Sequence, residues 1–171
     1  LYIHFPRATV PSIVFYNLHN CAAVHFIEAD NSSYLCSDRK DSTYIYMKNI
    51  AETYWKRKKM PIPHLLLSDY EGRNVWSHKG IVHWRGMNIC MVTDGYWRNK
   101  SATNLLDIDY MYLCKGYKGE IAPLQKLFHI KRIVLDASLG DYKSKAYKEE
   151  CKTLGLDYID ISEKGSFRIL L

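Results

Sequence analysis

The stretch DIDYMYLCKGYKGEIAPLQKLFHIKRIVLDAS, Asp107–Ser138, decides the fold. Asp107–Cys114 carries its acids at the start and is otherwise apolar and aromatic, the composition of a strand entering a buried sheet. Lys115–Gly119 then interrupts the run with two glycines. Ile121, Leu124, Leu127 and Phe128 recur at three- and four-residue spacing, which predicts a helix over Glu120–Ile130. Arg132–Ser138 reads as a strand again. Beyond it, Asp141 is placed to cap a helix over Tyr142–Leu154, and Gly155 stands where a helix stops. Asp157–Ile161 and Ser166–Leu171 read as closing strands around the Lys164-Gly165 turn. Strand, helix, strand, helix, strand predicts an α/β (α+β) layered architecture, a sheet with helices packed on its faces.

Outward toward the N-terminus the pattern changes. Ser12–Leu18, Ala22–Ala29 and Ser33–Cys36 are strand-like, and Asp30-Asn31-Ser32 is a turn signal between the last two, so this part reads as an antiparallel meander. From Thr43 the period becomes helical: Met47, Ile50, Ala51, Tyr54 and Trp55 share a face, with Asp41 or Ser42 available as N-cap. The helix ends in Lys56-Arg57-Lys58-Lys59 ahead of Pro61 and Pro63. The cluster reads either as a phosphate-binding patch or, the preferred reading, as a helix C-terminus whose dipole favours cations. Pro63–Asp69, Val75–Trp84 and Asn88–Asp94 supply further strands.

The 171 residues suffice for one domain over 1–171 that buries a substantial core. A hydrophobic fraction of 47% with 25% charged residues excludes disorder and fibrous repeats. The net charge of +6 permits a polyanionic partner without requiring one, since the excess is spread along both halves. Fourteen tyrosines and four tryptophans are expected mainly in core and edge packing. The five cysteines are widely spaced in apolar surroundings and read as reduced core residues. No run is apolar enough for a membrane span, and no leader precedes the first strand. The start at Leu1 suggests a soluble fragment of a larger protein.

Motifs for chemistry are sparse. No His-x-His, Cys-x-x-Cys or His-Glu-x-x-His occurs, so no metal site is expected, and His78 and His83 fall on opposite faces if their segment is one continuous strand. No nucleophile elbow and no phosphate-binding P-loop appears, so neither catalytic residues nor a cofactor are expected. Asp107/Asp109 and Asp157/Asp160 sit at strand starts, where acids are usually solvated. Lys115-Gly116-Tyr117-Lys118-Gly119 admits two readings. Two ammonium groups, free backbone N–H groups and a ring could hold phosphate and stack a base; alternatively the glycines merely permit positive φ at a strand-to-helix turn.

In order and content, NLHNCAAVHFIEADNSSYLCSD (Asn17–Asp38), Ile108–Ser138 and Asp141–Ile169 resemble the metallo-β-lactamase-like domain at the C-terminal end of ComEC, the membrane channel for DNA uptake in natural competence. The resemblance is closest to forms from Bacteroidetes-type bacteria. It implies a metallo-β-lactamase-like scaffold, truncated and degenerate: Cys114-Lys115-Gly116-Tyr117-Lys118 stands where the family's metal-binding histidines would be, and nothing after Cys36 matches its His-x-His-x-Asp-His motif. A protonated lysine brings charge but cannot coordinate zinc. The implied function is a non-catalytic accessory domain that contacts single-stranded DNA, or the channel part of the same protein, at the inner membrane; the resemblance implies its periplasmic side, while the reduced cysteines leave the cytoplasmic side open. The expected nucleic-acid contacts are Lys115, Tyr117 and Lys118 with Trp97, Arg98 and Lys100 of the loop YWRNK. The rival reading is a residual metal-dependent nuclease or phosphodiesterase with ligands recruited from His25, Asp69, Asp94 and Asp136. A third is a structural docking or dimerisation module.

Overall fold

The computed structural model describes residues 10–38, 42–60, 62–66 and 69–171. In chain order the elements are β1 (Ser12–Phe15), β2 (Ala23–Ile27), β3 (Ser33–Ser37), α1 (Ser42–Lys58), β4 (His64–Leu66), β5 (Tyr70–Glu71), β6 (Val75–His78), β7 (Ile81–Trp84) and β8 (Met87–Val92). They continue with β9 (Leu106–Leu113), a short 3-10 turn (Ala122–Lys126), β10 (Phe128–Leu135), α2 (Asp141–Leu154), β11 (Asp157–Asp160), α3 (Ile161–Lys164) and β12 (Phe167–Leu170). Two sheets result. The first has the order β12-β1-β2-β3-β4 and the second β11-β10-β9-β8-β7-β6-β5. The layered mixed α/β architecture expected from the sequence is therefore present.

The sheets face one another. Ile13, Phe15, Val24 and Phe26 of the first pack on Trp84, Met91, Tyr112 and Val134 of the second. Edge-to-face aromatic pairs knit the layers, Phe15 to Tyr112 at 5.1 Å and Phe26 to Trp84 at 5.5 Å between centroids. Because side chains alternate across a strand, the other face of each sheet is also apolar and needs a helix over it. On the second sheet Ile108, Met111, Leu113, Ile133 and Leu135 meet Tyr147 and Cys151 of α2. On the first, Val14, Ala23, Ile27 and Leu35 lie under Trp55 of α1. The order of layers is helix, sheet, sheet, helix.

Several local expectations hold. Ala23–Ser37 is an antiparallel β2–β3 hairpin, and all five cysteines are buried free thiols. Gly155 ends α2 in the left-handed conformation, φ 67°, its N–H bonded to the carbonyls of Cys151 and Lys152. Asp141 opens the first turn of α2, while Gly140 occupies the cap position without a side-chain bond. Tyr54 and Trp55 face the core as predicted, whereas Asp41, Pro61 and the side chains of Ser42, Met47, Ile50 and Ala51 lie outside the described residues.

Others are corrected. The predicted helix Glu120–Ile130 is only the 3-10 turn Ala122–Lys126, and the strand expected from Arg132 begins already at Phe128. Glu150 of α2 accepts the N–H groups of Ile121 and Ala122 at 2.7 and 2.8 Å, which fixes the turn from outside. Val75–Trp84 is a hairpin turning at Lys79-Gly80, both at positive φ, so His78 and His83 share one exposed face instead of opposing. The last strand leaves the α/β half: β12 pairs with β1 in the first sheet and joins the chain's ends into one layer.

Candidate nucleic-acid interface

Strands β8, β9, β10 and β11 are parallel, and Val92, Leu113, Leu135 and Asp160 stand level across the sheet. Segments leaving the C-terminal ends of parallel strands share one edge of the fold, the usual place for ligands in open α/β sheets. Here that edge carries Thr93–Lys100 after β8, Cys114–Glu120 after β9 and Asp136–Gly140 after β10.

The first two segments are pressed together. A Cβ built on Gly116 would stand 2.0 Å from the carbonyl oxygen of Thr93, and one on Gly119 would stand 2.4 Å from the Tyr117 hydroxyl. Neither glycine has positive φ. The glycines thus serve close approach, and the conformational reading of this turn is replaced by a packing one. The Cys114 N–H donates to the Val92 carbonyl at 3.1 Å just before the approach, which continues the ladder up to the turn.

Of the six expected contact residues, four are exposed on this edge: Lys115, Lys118, Arg98 and Lys100. Lys118 Nζ donates to the Lys115 carbonyl at 3.0 Å, so its stem folds over the turn while its charge faces water. Tyr117 is a correction. Its ring is 1% exposed and its hydroxyl donates to the Glu120 carbonyl at 2.6 Å, so no base can stack on it; it is the internal post of the turn. Burial raises its phenol pKa, Glu150 adds to the rise, and the Arg98 charge opposes it, which places the Arg98 field within reach of the turn.

Trp97 is corrected in part. It is half-buried, with its ring edge-on to Phe128 at 5.2 Å, and belongs to the layer under α2. The ring the loop offers to solvent is the neighbouring Tyr96, 42% exposed. Lys100 Nζ lies 4.4 Å and Lys79 Nζ 5.5 Å from its centroid. The Asp94 carboxylate holds the Tyr96 N–H at 2.8 Å and shapes the loop. Sequence reading missed Tyr96 and Lys79 because nothing local says which of two adjacent rings packs inward. Lys143 of α2 extends the basic edge, donating to the Gly119 carbonyl at 2.9 Å.

The residues of the rival nuclease reading lie in unlike settings. His25 is fully buried, shares a 2.7 Å hydrogen bond between Nδ1 and the Tyr16 hydroxyl, and is lowered by burial to about 3. The Tyr16 oxygen in turn accepts the Trp55 indole N–H at 2.8 Å, so the imidazole belongs to the packing under α1. Asp69 is exposed and meets His78 at 2.7 Å. Asp136 is buried and accepts the hydroxyls of Tyr112 and Ser138; burial outweighs those bonds and raises its carboxyl. Among the described residues no three His, Cys, Asp or Glu side chains converge so as to hold a metal ion.

The fold is thus a two-sheet α/β sandwich whose parallel strands open onto a basic, aromatic edge. The chain belongs to the family of the ComEC C-terminal domain, whose model matches residues 13–171. That membership places it in the competence DNA-uptake protein, a membrane protein family. Among the described residues no helix is long and apolar enough to cross a membrane. No curated protein and no solved structure matches the chain.

Proposed function

We propose that this domain is a non-catalytic accessory module of the DNA-uptake channel that guides single-stranded DNA across the edge formed by Arg98, Lys100, Lys115 and Lys118, on a metallo-β-lactamase-like scaffold without the family's ions and on the periplasmic side of the membrane. The observation that carries it is the juxtaposition through Gly116 and Thr93, which brings the basic segments on either side of β9 together. Tyr96, between Lys79 and Lys100, supplies the ring on which a base can stack, a sequence-tolerant contact. Protonated lysines attract phosphate but do not activate water, so the chemistry offered is binding and not cleavage.

Electrostatics sets the strength. Four single-strand phosphate contacts give a salt slope of about −2.8 in log K against log salt, so affinity falls about 50-fold between about 50 and 200 mM salt. Such a patch orients a strand without arresting it. The test is anisotropy of a labelled oligodeoxythymidine across that salt range. Lys115→Glu/Lys118→Glu should halve the slope and weaken binding at least about tenfold at physiological salt. An unchanged slope in that variant removes the site.

A further inference from the structure

A second opening lies on the other edge of the second sheet, beyond the N-terminal end of β8. It has a volume of about 540 Å³ and is lined by the β5–β6 and β7–β8 turns together with Glu28, the residue after β2. Three features make it a built site. First, Glu28 is a carboxylate only 4% exposed whose oxygens are each engaged: Oε1 accepts the Trp84 indole N–H at 2.6 Å and Oε2 accepts Arg85 Nη1 at 3.0 Å. A buried carboxylate is expensive to desolvate, and what this one does is fix a guanidinium at the mouth of the cavity. Arg85 also lies 5.9 Å from the Trp84 ring, so it is held from two sides while its remaining N–H donors stay uncommitted to Glu28.

Second, Arg73 enters the lining from the opposite turn, exposed and without an acidic partner among the described residues. Two guanidinium groups then face the opening against one carboxylate already occupied. Third, Trp76 is 42% exposed on the same lining and sits opposite His83 in the β6–β7 register. An indole left open beside two arginines pairs a stacking face with a phosphate anchor. The left-handed pair Arg85-Gly86 makes the β7–β8 turn a two-residue hairpin, which keeps Arg85 on a rigid support.

We infer that the cavity bounded by Glu28, Arg73, Trp76, His83 and Arg85 binds a nucleotide unit, its phosphate held by Arg73 and Arg85 and its base stacked on Trp76, with Glu28 as the positioning residue for Arg85. The ligand is either a free mononucleotide or one nucleotide of a strand. The site deepens the DNA-contact reading but is separate from the Lys115 edge, and its test is built to fail separately.

The whole chain as described is titrated with 5′-thymidine monophosphate, thymidine and a short oligodeoxythymidine while the Trp76 indole and His83 imidazole signals are followed by NMR. Wild-type protein should bind the monophosphate, with thymidine at least several-fold weaker. Arg73→Ala/Trp76→Ala, both exposed and safe for folding, should weaken it about tenfold or more, and Lys115→Glu/Lys118→Glu should leave it unchanged. Glu28→Gln should weaken the monophosphate more than thymidine, the mark of a displaced Arg85; if that variant does not fold, the exposed pair decides. If only the oligonucleotide moves the two signals, and Arg73→Ala/Trp76→Ala abolishes the shift of the remaining His83 signal, the nucleotide comes from a strand and the site stands. If no probe moves them, the site is refuted, whatever the oligonucleotide does at the other edge.

Discussion

Replacing Gly116 by alanine probes the link between fold and binding edge more sharply than removing a charge does. The new methyl carbon would lie 2.0 Å from the Thr93 carbonyl oxygen. A carbon and an oxygen rest about 3.4 Å apart, so relief takes a displacement of roughly 1.4 Å, and the obstacle is backbone that cannot rotate away. That displacement falls next to the 3.1 Å bond from Cys114 N–H to the Val92 carbonyl, which would stretch beyond bonding range. Overpacking costs about 1–3 kcal/mol, and a buried backbone bond lost adds about 1 kcal/mol. Gly116→Ala should therefore destabilise by about 2–4 kcal/mol, seen as a lower urea midpoint at unchanged slope and a Tm reduced by about 5–15 °C. Binding of single-stranded DNA should fall as well, because the Lys115 turn and the Arg98 loop separate. Gly140→Ala is the control: a Cβ there meets nothing, and its effect should stay within about 0.5 kcal/mol. A Gly116→Ala protein as stable as the control, with full DNA binding, refutes the close-approach reasoning.

Other perturbations follow from particular groups. His25 has a folded pKa lowered to about 3 against about 6.5 unfolded, so the unfolded chain binds the extra proton between those values. Stability should be full above about pH 6.5 and fall by up to about 1.4 kcal/mol per pH unit as pH drops toward 3; His25→Gln should flatten that part of a urea-midpoint profile. Glu150→Ala removes the acceptor of the Ile121 and Ala122 N–H groups and should cost about 1–2 kcal/mol by chemical denaturation, with glutamine recovering part. Asp136→Ala strands the Tyr112 hydroxyl in the core and should cost about 2–4 kcal/mol in the same assay, more than Ser138→Ala. Tyr96→Ala should lower single-strand affinity about fivefold or more in anisotropy titrations, while Trp97→Ala should chiefly lower the melting temperature.

What could be read from sequence divides by the range of the forces. The α2 helix was legible to its last residue because Gly155 marks its end locally, and β9 and the β2–β3 hairpin were legible from composition and turn residues. Ile121, Leu124, Leu127 and Phe128 misled because the same spacing serves a 3-10 turn followed by a strand; Glu150, 28 and 29 residues away, decides between them. The four basic residues of the proposed edge lay in stretches visible for their lysine, arginine and aromatic content. Their adjacency was not visible, since it depends on Gly116 meeting Thr93 across a parallel pairing. Glu28 gave no local sign at all: an acid at the end of the strand-like run Ala22–Ala29 reads as solvated, and only Trp84, 56 residues on, makes it a buried anchor.

On the readings proposed above, the two edges would differ in the kind of hold they exert. At the Lys115 edge the cations are exposed on flexible stems, and at physiological salt each phosphate contact is worth roughly fourfold in affinity, so four together hold a strand only at about millimolar strength. A strand in transit has to leave each contact as readily as it meets it, and weak, salt-screened contacts satisfy that condition. The Glu28 cavity is organised the other way. Its guanidinium is fixed before a ligand arrives, so less freedom is lost on binding, and its indole adds a contact that salt does not screen. Raising salt from about 50 to 200 mM should therefore release an oligonucleotide from the Lys115 edge far more than it releases a nucleotide from the cavity, where one or two phosphate contacts lose only about three- to sevenfold. Equal salt slopes at the two edges would show that the cavity neutralises as many phosphates as the Lys115 edge, which its two arginines and a single nucleotide do not allow.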